Sequence, residues 1–86
     1  MNELVILGAK WCRSCVSTKR MLKEFNDTHE PQIPFTYVDV EDRPEFVKAY
    51  NVQSVPVFIF RYPGGSDYFV HTGTATTDQI LTKLAQ

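Results

Sequence analysis

The sequence predicts an α/β fold, its elements running βαβ-α-ββα, with a four-stranded mixed sheet held between helices. Three features predict it: short runs at Leu4–Leu7 and Val55–Phe60 that are apolar on both faces, a long helical pattern beginning at Cys12, and one clear hairpin signal at Pro63–Ser66. With 86 residues, 43% of them hydrophobic and 13% aromatic, the chain is expected to be a single domain spanning residues 1–86 with a modest core.

Leu4–Leu7, stopped by Gly8, reads as a strand buried on both faces, although periodicity alone leaves a helix open. From Cys12 the pattern changes. Cys15, Leu22 and Phe25, with Val16 and Met21 beside them, fall at helical spacing, while Arg13, Lys19, Arg20, Lys23 and Glu24 supply a solvated face. The two prolines within His29–Pro34 close this long helix, and Phe35–Val40 reads as a second strand. Pro44 suits the first turn of a short helix with Phe46, Val47 and Tyr50 on its apolar stripe and Asn51 as a left-handed cap. Val55–Phe60 is the third strand, with Pro56 near its start, where no ladder bond need be lost. After the Pro63-Gly64-Gly65-Ser66 turn, Asp67–Thr72 should return antiparallel. Thr76 and Gln79 form a capping box for a last helix expected to bury Ile80, Leu81 and Leu84. A long helix between the first two strands makes them parallel; the hairpin adds antiparallel neighbours.

Nine basic and ten acidic residues give a formal net charge of −1, with no cationic excess to meet a phosphate backbone or an anionic membrane. Neither nucleic acid nor membrane is an expected partner. The opening residues carry Glu3 and no basic segment, no apolar run nears the roughly 18 residues of a membrane span, and no lipidation motif is present, so the expected location is cytoplasmic. In that reducing compartment two cysteines three apart are more often catalytic or metal-binding than a staple.

Cys12 falls at or near the first turn of the long helix, where free backbone N–H groups and the helix dipole favour an anion. Lys10 and Arg13 add positive charge, so Cys12 suits the nucleophile. Cys15, almost one turn deeper on the same face, suits the resolving thiol. Cys12 would attack a substrate disulfide, and Cys15 would then displace the reduced substrate from the mixed disulfide. Two other readings stand beside this one. An inert bridge over so short a loop would stabilise by only about 2 kcal/mol. A zinc or iron-sulfur site would need further ligands, and His29 and His71 offer no partner spacing, so no metal site is expected. His29 reads as a solvated loop residue and His71 as a packing or surface residue of its strand.

At Trp11-Cys12-Arg13-Ser14-Cys15 the sequence resembles the thioredoxin superfamily, and the likeness runs over almost the whole chain. Tyr37–Asp42 (YVDVED) resembles the family's second strand and its exit, Asn51–Phe60 (NVQSVPVFIF) the segment bearing its cis-proline, and Thr72-Gly73 the dipeptide before its last helix. The resemblance implies a thioredoxin-like fold and general redox activity, a cis Val55–Pro56 bond facing the cysteines, and a docking groove of Trp11, Val55, Pro56 and Gly73, with Arg13 at its edge. For Trp11, packing on the sheet is an equal alternative. The implied activity is that of a protein-disulfide reductase, a dithiol electron carrier and a monomer with no bound cofactor. Its partners would be disulfide-containing proteins and a reductant, with electrons from NADPH through thioredoxin reductase, or alternatively from glutathione.

The chain also departs from the family. The resemblance starts at the first strand expected here, Leu4–Leu7, without the strand and helix that usually precede it in the family. Ile6 stands where thioredoxins carry a buried aspartate, Tyr37 where they carry a lysine, Arg13-Ser14 where Gly-Pro is common, and Arg20 where a helix-kinking proline is frequent. These differences lead us to expect a Cys12 thiol more acidic than is usual in thioredoxins, with Cys15 deprotonated by water or by the departing thiolate. Two rival functions are a glutaredoxin, suggested by size and by Gly64-Gly65 followed by Asp67, and a thioredoxin-like binding or accessory module.

Overall fold

The computed structural model describes residues 2–86. Strand β1 (Glu3–Gly8) leads through helix α1 (Arg13–Thr28) to β2 (Phe35–Asp39); α2 (Pro44–Tyr50), β3 (Val57–Arg61), β4 (Asp67–Thr72) and α3 (Thr77–Leu84) follow. The sheet order is β2-β1-β3-β4, with β1 and β2 parallel and the remaining pairs antiparallel. Mixed topology and element order are those the sequence predicts.

Alternation along the strands sorts the core into two layers. Leu4, Ile6, Phe58 and Phe60 point to one face, where Leu22 of α1 and Ile80 and Leu84 of α3 cover them. Val5, Leu7, Val57 and Ile59 point to the other, against Phe46 and Tyr50 of α2 and Val52 beyond it. Both faces of β1 and β3 are therefore buried, which explains why their sequences show no polar alternation.

The ends of the helices follow their local chemistry. The Thr76 hydroxyl accepts from the Gln79 N–H at 3.1 Å, and the Gln79 side chain accepts from the Thr76 N–H at 2.9 Å, completing the predicted capping box. Asn51 takes the left-handed conformation, φ 51°, at the end of α2. After α1, the Asn26 side chain grips the buried Ile33 backbone, accepting from its N–H at 2.7 Å and donating to its carbonyl at 2.9 Å.

Four expectations are corrected. The third strand begins at Val57, not Val55: Pro56 has no N–H, and its carbonyl accepts from the Gly73 N–H at 2.9 Å. The second strand ends at Asp39, although the Val40 N–H still reaches the Gly8 carbonyl at 2.9 Å. Val16 and Leu81 are exposed, because each sits one residue past a core position, Cys15 and Ile80, and a step of about 100° turns it outward. His29 is exposed but not merely solvated, since its ring stacks on Phe25 with centroids 4.0 Å apart.

The turn after β3 lies at the sheet end opposite the β1-to-α1 connection. Arg61 pairs with Glu3 at the start of β1, whereas Val57 pairs with Leu7 near its end. At that far end Arg61 donates to Asp67 at 2.7 Å and to the Tyr50 hydroxyl at 2.9 Å, and Tyr50 donates to Asp67 at 2.5 Å, tying α2 to the hairpin.

Candidate active site

β1 ends at Gly8, and the chain turns so that the Cys12 N–H bonds the Ala9 carbonyl at 3.1 Å; Cys12 thereby becomes the N-cap of α1. Its backbone is extended, and its sulfur accepts from the Cys15 N–H at 3.2 Å, satisfying one of the donors a helix start leaves free. The first turn of α1 holds no acidic residue, so no carboxylate of its own helix start opposes a negative charge on this sulfur.

Cys12 and Cys15 are bonded to each other, their Cα atoms 5.2 Å apart, within the ordinary range for a disulfide. The two sulfurs are not equivalent. Cys15 is fully buried, while Cys12 keeps 7% of its surface, so an incoming group meets Cys12 first. Cys12 also has the Val55 carbonyl at 3.8 Å and the Ser14 hydroxyl at 3.4 Å from its sulfur.

The Val55–Pro56 bond is cis, as the resemblance implies. Val55 packs against the Ala9, Cys12 and Cys15 cluster, and Pro56 is buried beside it. Gly73 has φ +99°, a backbone region that side chains other than glycine's rarely adopt, and its N–H fixes it to Pro56. Cys12, Val55, Pro56 and Gly73 thus meet at one end of the sheet. A thioredoxin family model matches residues 2–86.

The chain belongs to the thioredoxin family. Among its relatives, thioredoxin of Alicyclobacillus acidocaldarius subsp. acidocaldarius is 27% identical over 82 residues, covering 95% of this chain and 77% of that protein. Thioredoxin-1 of Caenorhabditis elegans is 36% identical over 65 residues, 73% of this chain and 56% of that one. Thioredoxin H5 of Oryza sativa subsp. japonica is 38% identical over 53 residues, 62% of this chain but only 38% of its own length. In structure, desulfothioredoxin of Desulfovibrio vulgaris Hildenborough superposes with a TM-score of 0.77 at 25% identity, covering 98% of this chain and 79% of that one. A thioredoxin-like protein from Clostridium perfringens, 21% identical, shares the fold with a TM-score of 0.81 over 99% of this chain and 69% of its own. Family membership and the paired cysteines together support thiol-disulfide oxidoreductase chemistry.

Within this thioredoxin framework Trp11, Lys10 and Arg13 are the exposed members of the predicted set. Trp11 is 70% exposed, so its ring projects into solvent and does not pack on the sheet. Lys10 and Arg13 are also exposed, and neither forms an ion pair among the described residues. Ile6, in the place of the family's aspartate, is wholly buried in the apolar layer beneath α1. His71, read as a packing or surface residue of its strand, has its ring tilted against Phe58 and its Nε2 3.1 Å from the Thr74 carbonyl oxygen. Among the described residues no cluster of three or more His, Cys, Asp or Glu could hold a metal ion.

Three neighbours of the cysteines escaped sequence reasoning. Thr18, the one buried polar residue among the described residues, lies one turn along α1 from Cys15 and donates to the Ser14 carbonyl at 2.8 Å. Gly8 and Tyr37 meet directly: a Cβ on Gly8 would overlap the Tyr37 hydroxyl, lie 2.7 Å from its Cζ and come within 3.1 Å of the Cys15 Cβ. The Lys19 ammonium sits 4.7 Å from the centre of the Tyr37 ring. Burial first, and Asp39 second, push the Tyr37 hydroxyl above the usual tyrosine range, so the phenol stays protonated at neutral pH.

Proposed function

We propose that this chain is a protein-disulfide reductase, cycling the Cys12–Cys15 pair as a dithiol electron carrier in a reducing compartment such as the cytoplasm. The observation that carries the reading is the asymmetry of the sulfurs: one at the helix start with an accessible edge, the other sealed beneath it. In the reduced protein the Cys12 thiolate attacks a substrate disulfide, forming a Cys12–substrate bond and expelling one substrate sulfur as a thiolate. The Cys15 thiolate then attacks Cys12. That step closes the internal disulfide and releases the second substrate sulfur; the substrate gains two electrons and the cysteine pair loses them.

The groove beside Cys12 supports a protein substrate. The Val55 backbone beside Cys12, the buried Pro56 and the open space at Gly73 suit main-chain docking of an extended stretch, with Trp11 and Arg13 as side-chain contacts. The electron donor we propose is NADPH through a thioredoxin reductase. The glutathione alternative loses its main support, because Gly64 and Gly65 belong to the turn at the far end of the sheet, away from Cys12.

The test is insulin reduction with NADPH and thioredoxin reductase, run in parallel with glutathione and its reductase. Turnover with the first system, abolished by Cys12→Ser, is expected. Turnover with glutathione alone would move the chain to the glutaredoxin class, and activity with neither would leave the binding-module reading.

A further inference from the structure

Cys15 presents a physical problem that the exchange reaction must solve. Its sulfur is wholly buried, yet it must become an anion to attack Cys12, and burial without a partner raises a thiol's pKa. The side chains packed around it are largely apolar: Ala9 in the turn, Val40 after β2 and Val55 before β3. The polar groups nearby are mostly spent. Thr18 donates to Ser14, and Ser14 lies against Cys12.

Tyr37 is the exception. Its ring packs against the Ala9, Cys12 and Cys15 cluster, and its hydroxyl shares with the Cys15 Cβ the space that a side chain on Gly8 would occupy. Glycine at position 8 is what lets the two approach. Among the described residues, the charged groups facing Tyr37 are Lys19 from α1, over the ring, and Asp39 from its own strand; its partner on β1 is the apolar Ile6, and the segment before β3 brings the apolar Val55 to the same cluster.

We infer that Tyr37 is a positioning residue for the resolving step, its hydroxyl donating a hydrogen bond to the Cys15 thiolate and so favouring the anion that attacks Cys12. The inference rests on the disulfide-exchange reading above. A phenol that stays protonated at neutral pH is fitted to donate, not to accept a proton, so the Cys15 proton leaves to water. Cys15 then bonds to the Cys12 sulfur, the Cys12–substrate bond breaks, and the substrate sulfur departs with the bonding pair.

The experiment mixes reduced wild type and Tyr37→Phe with the aryl disulfide DTNB in a stopped-flow instrument. Attack by Cys12 releases one thionitrobenzoate; closure by Cys15 releases the second. While Cys12 is held in the mixed disulfide it does not titrate, so the pH profile of the second phase belongs to Cys15. Losing one hydrogen bond to an anion should move that profile up by about one unit. Below the midpoint the thiolate fraction falls about tenfold and its greater nucleophilicity recovers about threefold, leaving the second phase about threefold slower, while above the midpoint it is as fast or faster. The first phase is expected to be unchanged. Superimposable second-phase profiles would overturn the inference, as would a uniform slowing with no shift of midpoint, the mark of a merely structural role. A missing first phase in wild type would overturn the exchange reading itself.

Discussion

Replacing Gly8 with alanine puts the contact between Gly8 and Tyr37 to a quantitative test. In extended backbone a Gly-to-Ala change ordinarily stabilises by about 0.4–1 kcal/mol, by narrowing the unfolded ensemble. Here the new methyl would overlap the Tyr37 hydroxyl and stand 2.7 Å from Cζ, forcing the ring to lift away from the cysteines and from Lys19. Overpacking of this kind costs about 1–3 kcal/mol, so the net expectation is a loss of about 1–2 kcal/mol. With Tyr37→Ala already in place the overlap disappears. Only the 3.1 Å approach to the Cys15 Cβ remains, and Gly8→Ala should then be close to neutral. The interaction energy between the two substitutions is therefore expected at about 1–2 kcal/mol. Urea unfolding of the four oxidised proteins, compared at equal slope, measures it. If Gly8→Ala shifted the midpoint equally in both backgrounds, the two residues would not be in contact and the placement of Tyr37 beside Cys15 would be wrong.

Other outcomes follow from the same geometry. Cys15→Ser should still attack a disulfide through Cys12 but stall as a covalent adduct, visible by mass spectrometry as a stable mixed disulfide; full turnover in this variant would remove Cys15 from the mechanism. Asn26→Ala deprives the buried Ile33 backbone of both its side-chain partners and should cost about 1–3 kcal/mol in urea unfolding. Thr76→Ala breaks the capping box of α3 and should cost about 1 kcal/mol, with a midpoint equal to wild type as the contrary result. Burial, and then the bond to Asp67, raise the Tyr50 hydroxyl above the usual tyrosine range. The folded state thus prefers the neutral phenol, and the stability it contributes is whole below the unfolded value and lost as pH rises through the folded one. Tyr50→Phe should therefore soften the fall in stability as pH rises above the ordinary tyrosine value of about 10, and an identical alkaline slope in the two proteins would count against it.

Most of the architecture was legible because its signals are local. The hairpin turn, the Thr76–Gln79 capping box, the Asn51 cap and the helix that starts at the cysteines each rest on residues within a few positions of one another. The candidate site was legible for a similar reason, since two cysteines one helical turn apart carry their own geometry. What escaped was set by the third dimension. Pro56 keeps one ladder-type bond, from the Gly73 N–H to its carbonyl, but has no N–H to return the second, and that missing donor is where the third strand starts late. Val16 and Leu81 are apolar neighbours of true core positions, and a hydrophobicity pattern cannot tell which of two adjacent residues the helix turns inward. Tyr37 was read only as the absence of a lysine. Its approach to Cys15 depends on a residue of β1 having no side chain, a negative signal that sequence reading does not weigh.

The distance between the two ends of the sheet has a practical consequence. The Tyr62–Ser66 turn closes on its own hydrogen bonds, and a Cβ at Gly64 or Gly65 would meet open space. A short peptide epitope or a fluorophore grafted at Gly64 would project away from the groove at the opposite pole. The protein could then be tethered, imaged or immobilised by that handle while its cysteine pair stays unobstructed.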